Sequence, residues 1–79
     1  MTTEIREILK QHASLAADVG SLSDDADLYA AGLTSHGTVS LMVALEEHFG
    51  VEFPDRMLRR RSFESISAIH AAVHELTAS

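Results

Sequence analysis

The chain contains no cysteine. That excludes disulfide staples, a cysteine zinc site, a catalytic thiol and a redox dithiol together. Tryptophan is absent, aromatics are limited to Tyr29, Phe49, Phe53 and Phe63, and Pro54 is the single proline. No apolar run approaches the roughly 18 residues of a membrane span. The start, Met1-Thr2-Thr3-Glu4, has no basic region followed by an apolar stretch, so no secretion signal is expected. Thr2 stands where N-myristoylation requires glycine. Positive charge is scarce: six bases face twelve acids, a formal net charge of −6. Such a balance argues against nucleic acid and against an anionic membrane surface as partners. These absences predict a cytoplasmic protein. At 79 residues the chain has room for one domain, spanning 1–79, close to the size at which a core alone becomes marginal.

What is present is a core's worth of apolar residues, 46% of the chain, which excludes disorder by composition. The charge is divided: residues 1–55 carry a net −8 and residues 56–79 a net +2. Apolar spacing predicts helices throughout and no strand. A first helix starts after Thr2 or Thr3, with Ile5, Ile8, Leu9, His12, Leu15 and Ala16 on one stripe, and fades near Asp18. Residues 19–34 have no helical period, yet Leu22, Leu28 and Leu33 are too apolar for a solvated loop and are expected in the core. A connector this long in so small a domain points to function. A second helix runs from about Ser35 to Phe49, with Thr34 as its N-cap and Gly50 as terminator. Leu41, Met42, Leu45 and Phe49 form its core face. Pro54 opens a short helix through Met57 and Leu58, and a last helix starts at Ser62 and runs to about Leu76. The expected fold is all-α: a four-helix bundle with three main helices, one short third helix and a long first loop.

Several residues could carry chemistry. Ser35 sits at a helix N-terminus directly after a Gly-Leu turn, where unpaired amides and the positive end of the helix dipole would favour an attached phosphate. Spacing alone favours a helix-start serine with no further role, since serines at helix starts are common. His36 reads either as a recognition residue or as an exposed helix histidine. His70 and His74, four apart, could chelate a metal, but no third ligand is evident and a solvated flank is the simpler reading. His12, inside the apolar stripe, reads as a partly buried, hydrogen-bonded histidine. A triad of Ser35, a histidine and an acid would need a substrate pocket that so small a domain is not expected to offer. Arg59, Arg60 and Arg61 read as an exposed turn or as a contact for a partner or a phosphate. Val39 and Val43 are left over once the second helix has filled one core face, so they are either buried on a second side or exposed for docking.

The run from Asp27 to Pro54 resembles the acyl carrier protein family, which includes the peptidyl carrier domains. The likeness rests on Asp27-Leu28 followed by Gly32-Leu33, on the serine after it, and on the run Leu41 to Pro54 with its Leu45-Glu46-Glu47, Phe49, Val51 and Phe53-Pro54. It extends to the four-helix layout. The resemblance implies a non-enzyme whose serine, here Ser35, receives 4′-phosphopantetheine from coenzyme A through a phosphopantetheinyl transferase. The arm's thiol would hold an acyl or aminoacyl group as a thioester, and a chain without cysteine can do so only through an added thiol. The implied partners are that transferase, an acyl- or amino-acid-activating ligase and a downstream acyl or aminoacyl transferase, with the protein monomeric when free. Recognition is expected on the second helix and beyond it, at His36, Val39, Ser40, Val43, Glu46, Glu47 and Arg56. Ser40 and the arginines after Pro54 stand where fatty-acid carriers are acidic, which favours a dedicated pathway, such as one loading an amino acid from a separate ligase, over bulk fatty acid synthesis. Thr34 and His36 replace the family's usual neighbours of the serine and motivate one rival: an unmodified helical adaptor that binds a partner directly.

Overall fold

Thr34 and Gly50 bracket the central helix of the computed structural model, which describes residues 2–13, 15–16 and 18–78. Three α-helices are present: α1 (Thr2–His12), α2 (Ser35–Phe49) and α3 (Ile66–Thr77). Single 3₁₀ turns occupy Val19–Ser21, Asp55–Met57 and Arg60–Phe63. No strand occurs among the described residues. The arrangement is the all-helical layout expected from the sequence, with the short third helix expected from Pro54 to Leu58 realised as the 3₁₀ turn Asp55–Met57.

The core lies where the three helices meet. Ile5, Ile8 and Leu9 of α1 recur at helical spacing and are buried against α2 and α3. Leu41 and Leu45 from α2, and Ile66, Ile69 and Val73 from α3, are fully buried. Each such side chain contributes about 1.5–3 kcal/mol of transfer free energy. Leu28 and Leu33 from the long connector join this core and Leu22 packs partly against it, as their apolar character requires. Phe53 and Phe63, both buried, meet obliquely with ring centroids 5.5 Å apart and join the core.

Two boundaries differ from the sequence reading. α1 ends at His12 rather than near Asp18, and His12 is exposed rather than partly buried. The cause is a close backbone approach: a Cβ on Gly37 of α2 would lie 3.1 Å from the Ala13 carbonyl oxygen. That contact accompanies burial of the small Ala13, while His12 lies exposed. α3 begins at Ile66, capped by Ser65, whose hydroxyl accepts the Ala68 N–H. Ser62 instead lies within the 3₁₀ turn before it.

The connector is held at both ends. One Arg6 nitrogen donates to the Val19 and Leu22 carbonyls, both at 2.9 Å, and the other reaches Asp24 at 2.6 Å. Further along, the Leu28 N–H donates to Glu64 O and the Ser67 N–H to Asp24 O, tying the loop to the start of α3. These bonds give the loop's backbone groups partners that a helix or sheet would otherwise supply. The loop then turns at Gly32, whose φ of 114° is a conformation that side chains resist, and enters α2.

Candidate functional site

The start of α2 separates two roles that the adjacent residues Thr34 and Ser35 could have shared. Thr34 is the cap: its backbone is extended and its hydroxyl accepts the Gly37 N–H at 3.0 Å. Its carbonyl opens the helical ladder by accepting the Thr38 N–H. Ser35, the first helical residue, is exposed, and its hydroxyl has no hydrogen-bond partner among the described residues. Ser65, by contrast, spends its hydroxyl on capping and is buried. No acidic residue occupies the first turn of α2. The positive end of this helix therefore faces solvent beside an uncommitted hydroxyl, a setting that favours a covalently bound phosphate.

Ser35 lies on the rim of an open groove of about 610 Å³. Leu33, Thr34, Thr38, Val39 and Met42 form one wall, and Leu58, Arg59, Arg60 and Phe63 form the other. Tyr29 reaches in from the connector. Its hydroxyl donates to the Arg60 carbonyl at 2.8 Å, and the Arg60 guanidinium lies over its ring, 3.8 Å from the centroid. Burial pushes the Tyr29 phenol above its ordinary range, which keeps it neutral and able to donate. Asp27 fixes the start of this segment by accepting the Tyr29 and Ala30 N–H groups.

The other residues singled out from sequence lie as follows. Val39 is 57% and Val43 43% exposed, so burial on a second side of α2 does not occur. His36 and Glu47 are exposed and Ser40 is half-buried. Glu46 is partly committed: its carboxylate accepts the Phe53 N–H at 2.8 Å and holds the chain leaving α2. Arg56 is exposed but turned to α3, where it pairs with Glu75 at 2.6 Å. His70 and His74 sit side by side, rings 6.1 Å apart, and no cluster of three metal-ligating side chains occurs among the described residues. No described helix is long and apolar enough to cross a membrane.

Sequence reasoning missed Leu58, Tyr29 and Phe63 as parts of this site. Leu58 is 46% exposed and continues the apolar strip of Val39 across the groove. No period marks it, because the segment is a 3₁₀ turn rather than a helix with a readable face.

The family model described as "Phosphopantetheine attachment site" matches residues 3–71. The chain is 51% identical over 73 residues to the aminoacyl carrier protein of Agrobacterium fabrum, covering 92% of this chain and 88% of that protein. Its fold matches, with a TM-score of 0.90 and 51% identity over 92% of this chain and 97% of the other, a chain in the crystal structure of an engineered Bradyrhizobium japonicum glycine:[carrier protein] ligase complexed with carrier protein from Agrobacterium tumefaciens and AMP. A solution structure of an Agrobacterium tumefaciens protein, 49% identical, matches with a TM-score of 0.76 over 95% of this chain and 90% of the other.

Proposed function

The chain belongs to the phosphopantetheine-attachment family of acyl and aminoacyl carrier proteins, and from that premise we propose that Ser35 bears the arm and that the protein, as a single carrier domain, presents an amino acid to partner enzymes. The observation that carries this reading is the uncommitted, exposed Ser35 hydroxyl at the start of α2, next to a threonine that takes the capping role. The residues fit the group: the oxygen to be phosphorylated is accessible, and the helix end beside it suits a phosphodiester. When attached, the arm supplies the thiol that a cysteine-free chain lacks and on which cargo rides as a thioester.

The chain's own residues hold the attachment point and display a docking face. Thr34 fixes the first turn of α2 and so the direction in which the Ser35 oxygen projects. His36, Val39, Ser40, Val43 and Glu47 lie along one outer side of α2, with Leu58 beside them across the groove. Glu46 holds the chain leaving that face through the Phe53 N–H, and Arg56, paired with Glu75 of α3, would have to release that partner to join it. An exposed apolar strip rimmed by polar groups suits recognition by a protein. The free protein performs no chemistry in this reading. Its partners are a phosphopantetheinyl transferase, a separate amino-acid-activating ligase and a downstream acceptor enzyme in a dedicated cytoplasmic pathway. Glycine is the first cargo to test, because related chains were crystallised with a glycine:[carrier protein] ligase.

The test is direct. Incubation with coenzyme A and a broad-specificity phosphopantetheinyl transferase should add one arm to the wild type and none to Ser35→Ala, read by intact mass. Glycine and ATP with a glycine-activating ligase should then add one glycyl group that hydroxylamine removes. An arm on Ser35→Ala, or none on the wild type with several transferases, overturns the assignment.

A further inference from the structure

The chain carries twelve acids and six bases, yet the bases are not all paired. Arg6 meets Asp24, Lys10 meets Glu7 and Arg56 meets Glu75. Arg59 and Arg60 have no carboxylate partner among the described residues, and both line the groove that Ser35 opens onto. Arg59 commits only its Nε, which donates to the Arg56 carbonyl at 3.1 Å and leaves the two terminal nitrogens free. Arg60 lies over the Tyr29 ring at 3.8 Å. Stacking uses the face of a guanidinium and leaves its in-plane N–H donors directed outward. Both side chains are exposed, and each is held by one contact that leaves N–H donors free beside the groove.

We propose that Arg59 and Arg60 bind the phosphodiester of the arm on Ser35 in the free protein, laying the root of the arm along the groove instead of leaving it in solvent. This rests on the Ser35 assignment. One feature selects this anion over a carboxylate on a partner. Ser35 lines the same groove as the two arginines, so the phosphodiester is delivered there covalently, and a tethered ligand occupies even a weak site through its effective concentration. The planar donor fork of arginine donates to a phosphodiester's two free oxygens as readily as it would to a carboxylate, so the tether, not the fork, makes the choice. The rest of the groove suits the arm that follows: Val39, Met42, Leu58 and Phe63 offer apolar surface, while Thr38 and the Tyr29 hydroxyl offer polar contacts for amides. A ligase that extends the arm into its own active site must first draw the phosphodiester away from Arg59 and Arg60.

The experiment compares ¹⁵N-labelled protein before and after arm transfer, with ³¹P spectra of the modified form. Addition of the arm should shift the Arg59 and Arg60 side-chain Nε–H signals and the Leu58 amide, as well as residues near Ser35. In modified Arg59→Gln the Leu58 shift should shrink and the ³¹P signal should move toward that of a free phosphodiester, 4′-phosphopantetheine methyl ester. Arg59→Gln leaves the Tyr29–Arg60 stack intact, so folding is retained; Arg60→Lys gives a second reading with charge kept and the planar fork lost. Shifts confined to residues 33–39, with the arm present on Ser35, overturn this inference and leave the attachment site standing. No arm on Ser35 overturns both.

Discussion

Gly32 shows how a residue remote from any chemistry can set the position of one that carries it. Its φ of 114° belongs to glycine, and a Cβ there would also lie 2.9 Å from the Ala16 backbone nitrogen. Gly32→Ala therefore meets conformational strain and a backbone collision at once, and should cost about 1–3 kcal/mol in urea unfolding. Gly50 is the control. Its φ of 65° is also left-handed, but an added Cβ meets nothing within 4 Å, so Gly50→Ala should cost about 1 kcal/mol and clearly less than Gly32→Ala. Equal losses at the two positions would mean that contact with Ala16 does not matter. At this scale the sequence was legible where local chemistry decides: Thr34 as cap and Ser35 as the residue beside it follow from residue type and place. It was illegible where another segment decides. His12 has the right spacing for the stripe of α1, but the approach of Ala13 to Gly37 comes from a chain segment 24 residues later, and no local period records it.

Among the elements, α2 was the most readable and α3 the least certain at its start. α2 has a hydroxyl cap, a glycine terminator and 15 residues of unbroken helix between them. The sequence reading started α3 at Ser62, whereas the cap is Ser65, because Phe63 is buried ahead of the helix from a 3₁₀ turn. The spare apolar residues of α2 were legible as a surplus, while their exposure required the fold. That surplus makes a prediction about the element as a whole. Val43→Asp places a charge in the exposed strip without touching the buried Leu41 and Leu45. Helicity by circular dichroism should be unchanged, and loading of the modified protein by its activating ligase should fall about tenfold, as expected for loss of a central apolar contact. An unchanged loading rate would move the docking face elsewhere on the molecule.

For the molecule as a whole, the connector rather than the bundle is the part whose order needs explaining. Arg6 holds it with three hydrogen bonds from α1. Arg6→Ala should cost about 2 kcal/mol, lower the midpoint of thermal unfolding by on the order of 10 °C, and remove hydrogen-exchange protection between residues 18 and 24. Protection that survives the substitution would assign the loop's order to Leu22 and Leu28 instead. The uneven charge was visible in the sequence from the start, but which arginines are spent internally and which remain free was not, since pairing joins segments far apart in the chain. One consequence of the groove concerns observation rather than binding. The chain has a single tyrosine and no tryptophan, and that tyrosine sits in the groove under Arg60. Tyrosine emission from the native protein thus originates at one residue of the groove that Ser35 also lines, so the molecule carries a spectroscopic reporter of its own groove, and events there can be followed in unlabelled protein.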